Sequence, residues 1–239
     1  MRRGLARSRG EARDLVTSGL VTVGGAPATK PAQPVAPADD VAVTSDAPRW
    51  VGRAAHKLVA ALDDWGPEGL VVAGRRCVDV GASTGGFTQV LLARGASGVV
   101  AVDVGHGQLV PELAGDPRVD ERSGTTVRGL TAEDLGGPAD LVVADLSFIS
   151  LTLVMGDLSG LLRPEADLVV LVKPQFEVGR ENVGSGGIVR DEAARQRAVK
   201  DVVAWLSAQS GWKIAGEMTS PILGGSGNAE YLIGARRYE

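Results

Sequence analysis

Cys77-Val78-Asp79-Val80-Gly81-Ala82-Ser83-Thr84-Gly85-Gly86-Phe87-Thr88 is the stretch on which the reading of this chain turns. A short buried strand runs into a glycine-rich turn and then a helix start, an arrangement that aims backbone N–H groups at a ligand. About twenty residues further on, the apolar run Gly98-Val99-Val100-Ala101-Val102 ends in Asp103, where an acidic side chain can grip a ribose hydroxyl in a nucleotide-type site. Ser83 stands where a dinucleotide-binding turn has its second glycine, which disfavours NAD; a turn that serves helix packing alone is the structural alternative.

Outward from that turn the chain alternates strands and helices. Strand character covers Arg76 to Gly81, Gly98 to Asp103, Arg118 to Glu121, Asp140 to Asp145, Asp167 to Val172, Trp212 to Gly216 and Tyr231 to Ala235. Helical character covers Phe87 to Arg94, Gly107 to Ala114, Ser150 to Leu162 and Asp191 to Gln209. The near-continuous run Leu168-Val169-Val170-Leu171-Val172 predicts a strand buried on both faces, hence an α/β fold with a mostly parallel seven-stranded sheet. Pro174 to Arg190 lacks apolar periodicity and is expected to be a mobile loop at the carboxyl edge of that sheet. Before the sheet, Ala54, Leu58, Ala61, Leu62 and Trp65 recur at helical spacing. At about 100° per residue, Lys57 falls roughly 40° outside that apolar stripe, within reach of a cleft.

Composition bounds the function classes. The 239 residues are 44% hydrophobic and 23% charged, with no run approaching the ~18 apolar residues of a membrane span. Met1-Arg2-Arg3-Gly4 opens no signal peptide. The single Cys77 excludes an internal disulfide and a cysteine-clustered zinc site, and His56 and His106 form no ligand pattern, so no metal is expected. A cytoplasmic protein fits these features. Residues 1–30 carry Arg2, Arg3, Arg7, Arg9, Arg13 and Lys30 against Glu11 and Asp14, a basic end on a chain of net charge −4. Such an end suggests contact with a polyanion; a solvated helix face is the plainer reading.

That end reads as a short helix opening at Ser8, then Val21 and Val23 alternating about Thr22, a Gly24-Gly25 turn and a Lys30-Pro31 step. It resembles the S4 RNA-binding module in shortened form, with Gly24 in place of the usual asparagine. The resulting division is an S4-like module over 1–36, a Pro-, Ala- and Asp-rich linker over 37–49 and a catalytic domain over 50–239.

Three further residues are candidates for chemistry, the first of them at a carboxyl strand end, where open α/β sheets bind ligands. Asp145 ends the fourth strand, or caps the helix that follows. Lys173 leaves a fully buried strand, where desolvation or a second cation favours the neutral amine needed for proton abstraction; it otherwise orients a hydroxyl while charged, or guards a strand end. Glu230 opens the last strand, or sits in a solvated turn.

Aspartate before the first glycine fits the Asp-x-Gly-x-x-x-Gly pattern of S-adenosylmethionine-dependent methyltransferases. That resemblance implies that Asp79 and the backbone of Gly81, Ala82, Ser83, Thr84, Gly85, Gly86 and Phe87 hold the amino-acid end of S-adenosyl-L-methionine, Asp103 its ribose, with Asp145 alongside. Asp145-Leu146-Ser147-Phe148 departs from the Asn/Asp-Pro-Pro-aromatic motif of base N-methylation. Cys77, at the wrong edge of its strand, cannot serve carbon-5 chemistry. A hydroxyl is the acceptor that remains. Lys57, Asp145, Lys173 and Glu230 reproduce the Lys-Asp-Lys-Glu order of FtsJ-like ribose 2′-O-methyltransferases. Arg53 to Leu58, Asp79 to Thr88, Asp145 to Ser150, Lys173 to Glu177, Gly187 to Asp191 and Gly225 to Glu230 together resemble the TlyA/hemolysin A family.

The family implies a class I (Rossmann-like) methyltransferase domain behind an S4 module, methylating the ribose 2′-hydroxyl of cytidine in 16S and, in many members, 23S ribosomal RNA within ribosomal subunits. Lys173 would remove or polarise the hydroxyl proton, with Asp145 and Glu230 orienting the two amines and Lys57 assisting, the lysine roles being exchangeable. Arg7, Arg9, Arg13 and Lys30 are the expected RNA contacts of the basic end, and Arg180 and Arg190 those of the loop. The alternatives are a catalytically silent ribosomal RNA-binding or assembly factor and a membrane-active hemolysin; the basic helix is short and weakly apolar for the latter.

Overall fold

A computed structural model describes residues 2–6, 9–17, 19–44 and 50–238, with Glu11, Asp14 and Thr17 described by backbone alone. The chain forms two compact units, Met1–Arg49 and Trp50–Glu239.

In the first unit α1 (Arg9–Thr17) precedes β1 (Val21–Val23), β2 (Ala26–Pro27) and β3 (Val41–Val43), which pair antiparallel in the order β2-β1-β3. Gly24 and Gly25 hold φ of 57° and 79°, the positive values that a two-residue hairpin turn requires. The expected helix opening at Ser8 lies outside the described residues. Within the stretch expected as linker, 37–49, β3 forms, and its Val41, Ala42 and Val43 pair with Val23, Thr22 and Val21. Three residues beside an Asp- and Pro-rich stretch carry too little alternation to announce a strand. The preceding stretch is also tied down: the Arg3 guanidinium donates to the carbonyls of Ala36, Pro37 and Asp39.

The second unit runs α2 (Ala55–Trp65), β4 (Arg76–Val80), α3 (Gly86–Ala93), β5 (Gly98–Asp103), α4 (Pro111–Ala114), β6 (Val119–Ser123), β7 (Ala139–Ala144), α5 (Met155–Gly160), β8 (Leu162–Val172), α6 (Pro174–Glu177), α7 (Glu192–Ser207), β9 (Trp212–Thr219) and β10 (Tyr231–Arg237). Its seven strands form one sheet in the order β6-β5-β4-β7-β8-β10-β9. The first five in that order are parallel, and β10 runs antiparallel to both neighbours. Because β5 and β7 flank β4 on opposite sides, the strand order reverses there and opens a crevice at the carboxyl ends.

Alternation along β4 sends its side chains to two cores. Val78 and Val80 join Leu158 of α5 and Ala198, Val199, Val202 and Leu206 of α7. Cys77 joins Leu58, Leu62 and Trp65 of α2 and Phe87, Val90 and Leu91 of α3 on the other face. Asp79 points to this second side, toward α3, and Lys57 is carried on α2 beside Leu58.

Several element boundaries differ from expectation. The helix expected over Gly107 to Ala114 forms only at Pro111–Ala114, because Val110, held extended at φ −64°, ψ 146°, precedes a proline that disfavours the helical region for it. The helix expected over Ser150 to Leu162 is split into a 3-10 turn, Leu151–Leu153, and α5 by Val154 at φ −126°. The segment expected as an unpatterned loop over Pro174 to Arg190 contains α6, 3-10 turns at Arg180–Asn182 and Ser185–Gly187, and a bridge between Gly184 and Ile188.

Candidate active site

The glycine turn leaves β4 at Gly81, where φ is 86° and a Cβ would stand 2.5 Å from the Asp145 carbonyl oxygen. Glycine is therefore needed for both conformation and close approach, and the loops after β4 and β7 meet there. Ser83 takes φ 48° and its N–H donates to Asp103 Oδ2 at 2.8 Å. The Gly105 N–H donates to Asp103 Oδ1 at 2.7 Å, and Gln108 Nε2 lies 3.4 Å from the same oxygen. Asp103, at the end of β5, thus locks the turn in place. A small cleft beside it is lined by Ala82, Ser83, Asp103, Gln108, Glu121 and Ser123. The turn passes through Thr84 and Gly85 into α3 at Gly86 and Phe87, whose N–H groups, in the first helical turn, have no intrahelical acceptor.

Asp79 is fully buried. Its Oδ2 accepts a hydrogen bond from Thr88 Oγ1 at 2.6 Å, while Oδ1 has no partner among the described residues. Burial pushes its carboxyl up to about 7 in spite of the Thr88 hydrogen bonds, and the negative charges of Asp145 and Asp103 push the same way. A buried carboxyl with one oxygen left without a partner offers a place for a cation.

The second constellation brings together residues from four places in the chain. Lys57 Nζ lies 2.6 Å from Glu230 Oε2 and 3.8 Å from Asp145 Oδ2. Lys173 Nζ lies 2.6 Å from Asp145 Oδ1 and donates to Ser147 Oγ at 2.8 Å. Lys57, Lys173 and Glu230 are 5%, 8% and 3% exposed, burial that lysine and glutamate tolerate only when paired. Two cations and two anions balance, with Asp145 shared between the lysines. Glu230 is wrapped by its own loop: a Cβ on Gly224 would stand 2.2 Å from its Oε1. Asn228 holds that loop against the segment after β8, accepting from the Val189 N–H at 2.9 Å and donating to the Gly187 carbonyl at 2.8 Å.

Cys77 takes no part in this cluster. It is buried at the opening of β4, and burial pushes its thiol up to about 12, which leaves no thiolate for nucleophilic attack.

Sequence reasoning missed two neighbours of the quartet. Ser147 is exposed at the mouth and bonded to Lys173. Phe148 is 91% exposed, holds φ 65° and sits with its ring centroid 5.2 Å from that of Phe176. A large aromatic just past a strand's carboxyl end, between two serines, was the available signal.

Of the expected RNA contacts, Arg9, Arg13 and Lys30 are exposed on the first unit, and Arg180 and Arg190 on the second. Arg7 lies outside the described residues. Among the described residues no group of three or more His, Cys, Asp or Glu side chains is placed to hold a metal ion, and no helix is long and apolar enough to cross a membrane.

The FtsJ-like methyltransferase family model matches residues 50–237, and the S4 domain model matches residues 2–41. The 16S/23S rRNA (cytidine-2′-O)-methyltransferase TlyA of Mycobacterium tuberculosis is 53% identical over 237 residues, which cover 99% of this chain and 87% of that protein. Hemolysin A of Brachyspira hyodysenteriae is 36% identical over 230 residues, covering 96% and 94%. A solved hemolysin-type structure from Streptococcus thermophilus superposes with a TM-score of 0.76 at 36% identity, over 100% of this chain and 86% of its own.

Proposed function

Because the chain belongs to the TlyA/hemolysin A family, enzymes that join an S4 domain to an FtsJ-like methyltransferase domain, we propose that it methylates the ribose 2′-hydroxyl of a cytidine in ribosomal RNA. The observation that carries this reading is the ion-paired quartet Lys57, Asp145, Lys173 and Glu230, with Lys57, Lys173 and Glu230 buried. Such a cluster offers amines to a hydroxyl and has no thiolate to offer a carbon.

The residues around the glycine turn suit S-adenosyl-L-methionine. The unpaired Oδ1 of Asp79 matches its ammonium group, the first N–H groups of α3 match its carboxylate, and Asp103 matches ribose hydroxyls. When bound, the cofactor supplies a methyl group on a sulfonium, an electrophile that needs no further activation. The chain's task is then to hold an oxygen in line with that methyl, and positioning of this kind accounts for much of an enzyme's rate. Lys173 takes or polarises the hydroxyl proton, Asp145 fixes Lys173, and Lys57, held by Glu230, steadies the oxygen. The exposed ring of Phe148 offers a face to an unstacked base. Residues 50–239 carry the transfer. The first unit, with Arg7, Arg9, Arg13 and Lys30, captures RNA, aided by Arg180 and Arg190.

Transfer of tritiated methyl from S-adenosylmethionine into purified small and large ribosomal subunits, assayed separately, tests the reading. Label is expected in alkali-resistant dinucleotides containing cytidine. Lys173→Ala should lower the rate by about 10²-fold or more with cofactor affinity kept. An assembly factor would bind subunits without transferring label, and a K173A protein that transfers normally would overturn the assignment.

A further inference from the structure

We infer that Ser147 is a positioning residue for methyl transfer, setting the direction in which the Lys173 amine meets the acceptor hydroxyl. This rests on the proposed transfer to a hydroxyl and deepens it. A lysine nitrogen has three positions besides its carbon, for protons or a lone pair. At Lys173 the Asp145 carboxylate forms an ion pair at 2.6 Å without the angle of a hydrogen bond, and Ser147 Oγ accepts a hydrogen bond from the amine at 2.8 Å, the one directional contact of Nζ among the described residues. That one hydrogen bond fixes the rotation of the amine about its Cε–Nζ bond, and with it the directions of the positions left for the ribose oxygen. With Asp145 alone, the amine rotates about its Cε–Nζ bond and spends much of its time aimed elsewhere.

The location of Ser147 supports this role. The residue is exposed at the mouth of the site, two positions past Asp145, while Lys173 behind it is buried. The following residue, Phe148, holds the left-handed φ of 65°, a conformation costly for a bulky side chain and retained only where the surroundings impose it. Ser147 is thereby held between Asp145 and a fixed turn. Of the other charged groups facing the amine, Lys57 is engaged by Glu230. No other hydroxyl bonded to Lys173 is found among the described residues.

Ser147→Ala and Ser147→Thr, assayed with saturating S-adenosylmethionine on ribosomal subunits, test the inference. S147A should lower kcat about tenfold, the scale of one hydrogen bond to a charged group, with the KM for RNA and the affinity for cofactor within about twofold of wild type. S147T keeps the hydroxyl and should restore most of the rate. The inference is overturned by an S147A kcat within twofold of wild type, by a loss confined to the RNA KM, by weakened cofactor affinity in step with kcat, or by a loss that S147T leaves unrepaired. A wild-type protein inert toward ribosomal RNA would bring down the parent reading itself, whereas an active wild type with an equally active S147A would bring down only the role of Ser147.

Discussion

Asp79 holds a carboxyl in the interior with one oxygen satisfied by Thr88 and the other unsatisfied. Its ordinary value of 3.8 is pushed up to about 7, mainly by burial. The sign of the linkage follows: the folded protein keeps this proton longer than the unfolded chain does, so the stability it contributes is fully present below pH 3.8 and is lost as pH rises toward about 7. Asp79→Asn removes the titration while keeping an acceptor for Thr88. The stability of wild type relative to D79N should therefore fall by on the order of 2 kcal/mol between pH 5 and pH 7, read from urea unfolding at each pH. The same carboxylate, once ionised, is the proposed seat of the cofactor's ammonium. Wild-type affinity for S-adenosylmethionine should therefore weaken as pH drops below about 7, whereas D79N should bind weakly and without that pH dependence. Calorimetry that gave parallel pH profiles for the two proteins would refute the assignment of Asp79 to the cofactor.

At the scale of elements, α2 is seated on the sheet by Trp65, and its ring demands an absence of side chains beneath it. Gly216 of β9 and Gly234 of β10 pair directly across the ladder. A Cβ on Gly216 would lie 2.2 Å from Trp65 Nε1, and one on Gly234 would lie 2.8 Å from its six-membered ring. Gly234→Ala should therefore cost about 1–3 kcal/mol through overpacking, measured as a lower urea midpoint with unchanged m-value. Since Trp65 closes the helix that begins near Lys57, this contact also fixes where the Lys57 amine is delivered. None of this could be read from the sequence, where the two glycines merely weaken two strands. What was legible had a local cause. The valine and leucine run of β8 announced a strand buried on both faces, the spacing of Asp79, Gly81, Gly85 and Asp103 announced a strand-to-helix turn with an acid beside it, and Lys57, Asp145, Lys173 and Glu230, singled out from separate stretches, lie together in the fold. What was not legible depended on contacts between distant segments. Val41–Val43 is a strand only because β1 accepts it, Asn228 matters only because it fastens one loop to another, and Ser147 gains a role only where Lys173 meets it.

Over the whole molecule, charge divides along the same boundary as the fold. Met1–Arg49 carries a net +2 and Trp50–Glu239 a net −6, so the net charge of the unit that contains the quartet disfavours a polyanion. The proposed RNA substrate must then be drawn in by cationic residues of the first unit and by Arg180 and Arg190, exposed on the segment after β8. Each phosphate contact with a single strand adds about 0.7 to the slope of log affinity against log salt. Replacing Arg9, Arg13 and Lys30 together by alanine should lower that slope by about 2 and weaken binding most at low salt, as read from filter-binding titrations across a salt series. At saturating RNA the triple variant should keep the wild-type kcat, since no member of the quartet lies in the first unit. An unchanged slope would remove these residues from the interface. A fall in kcat at unchanged affinity would instead give the first unit a part in the chemistry.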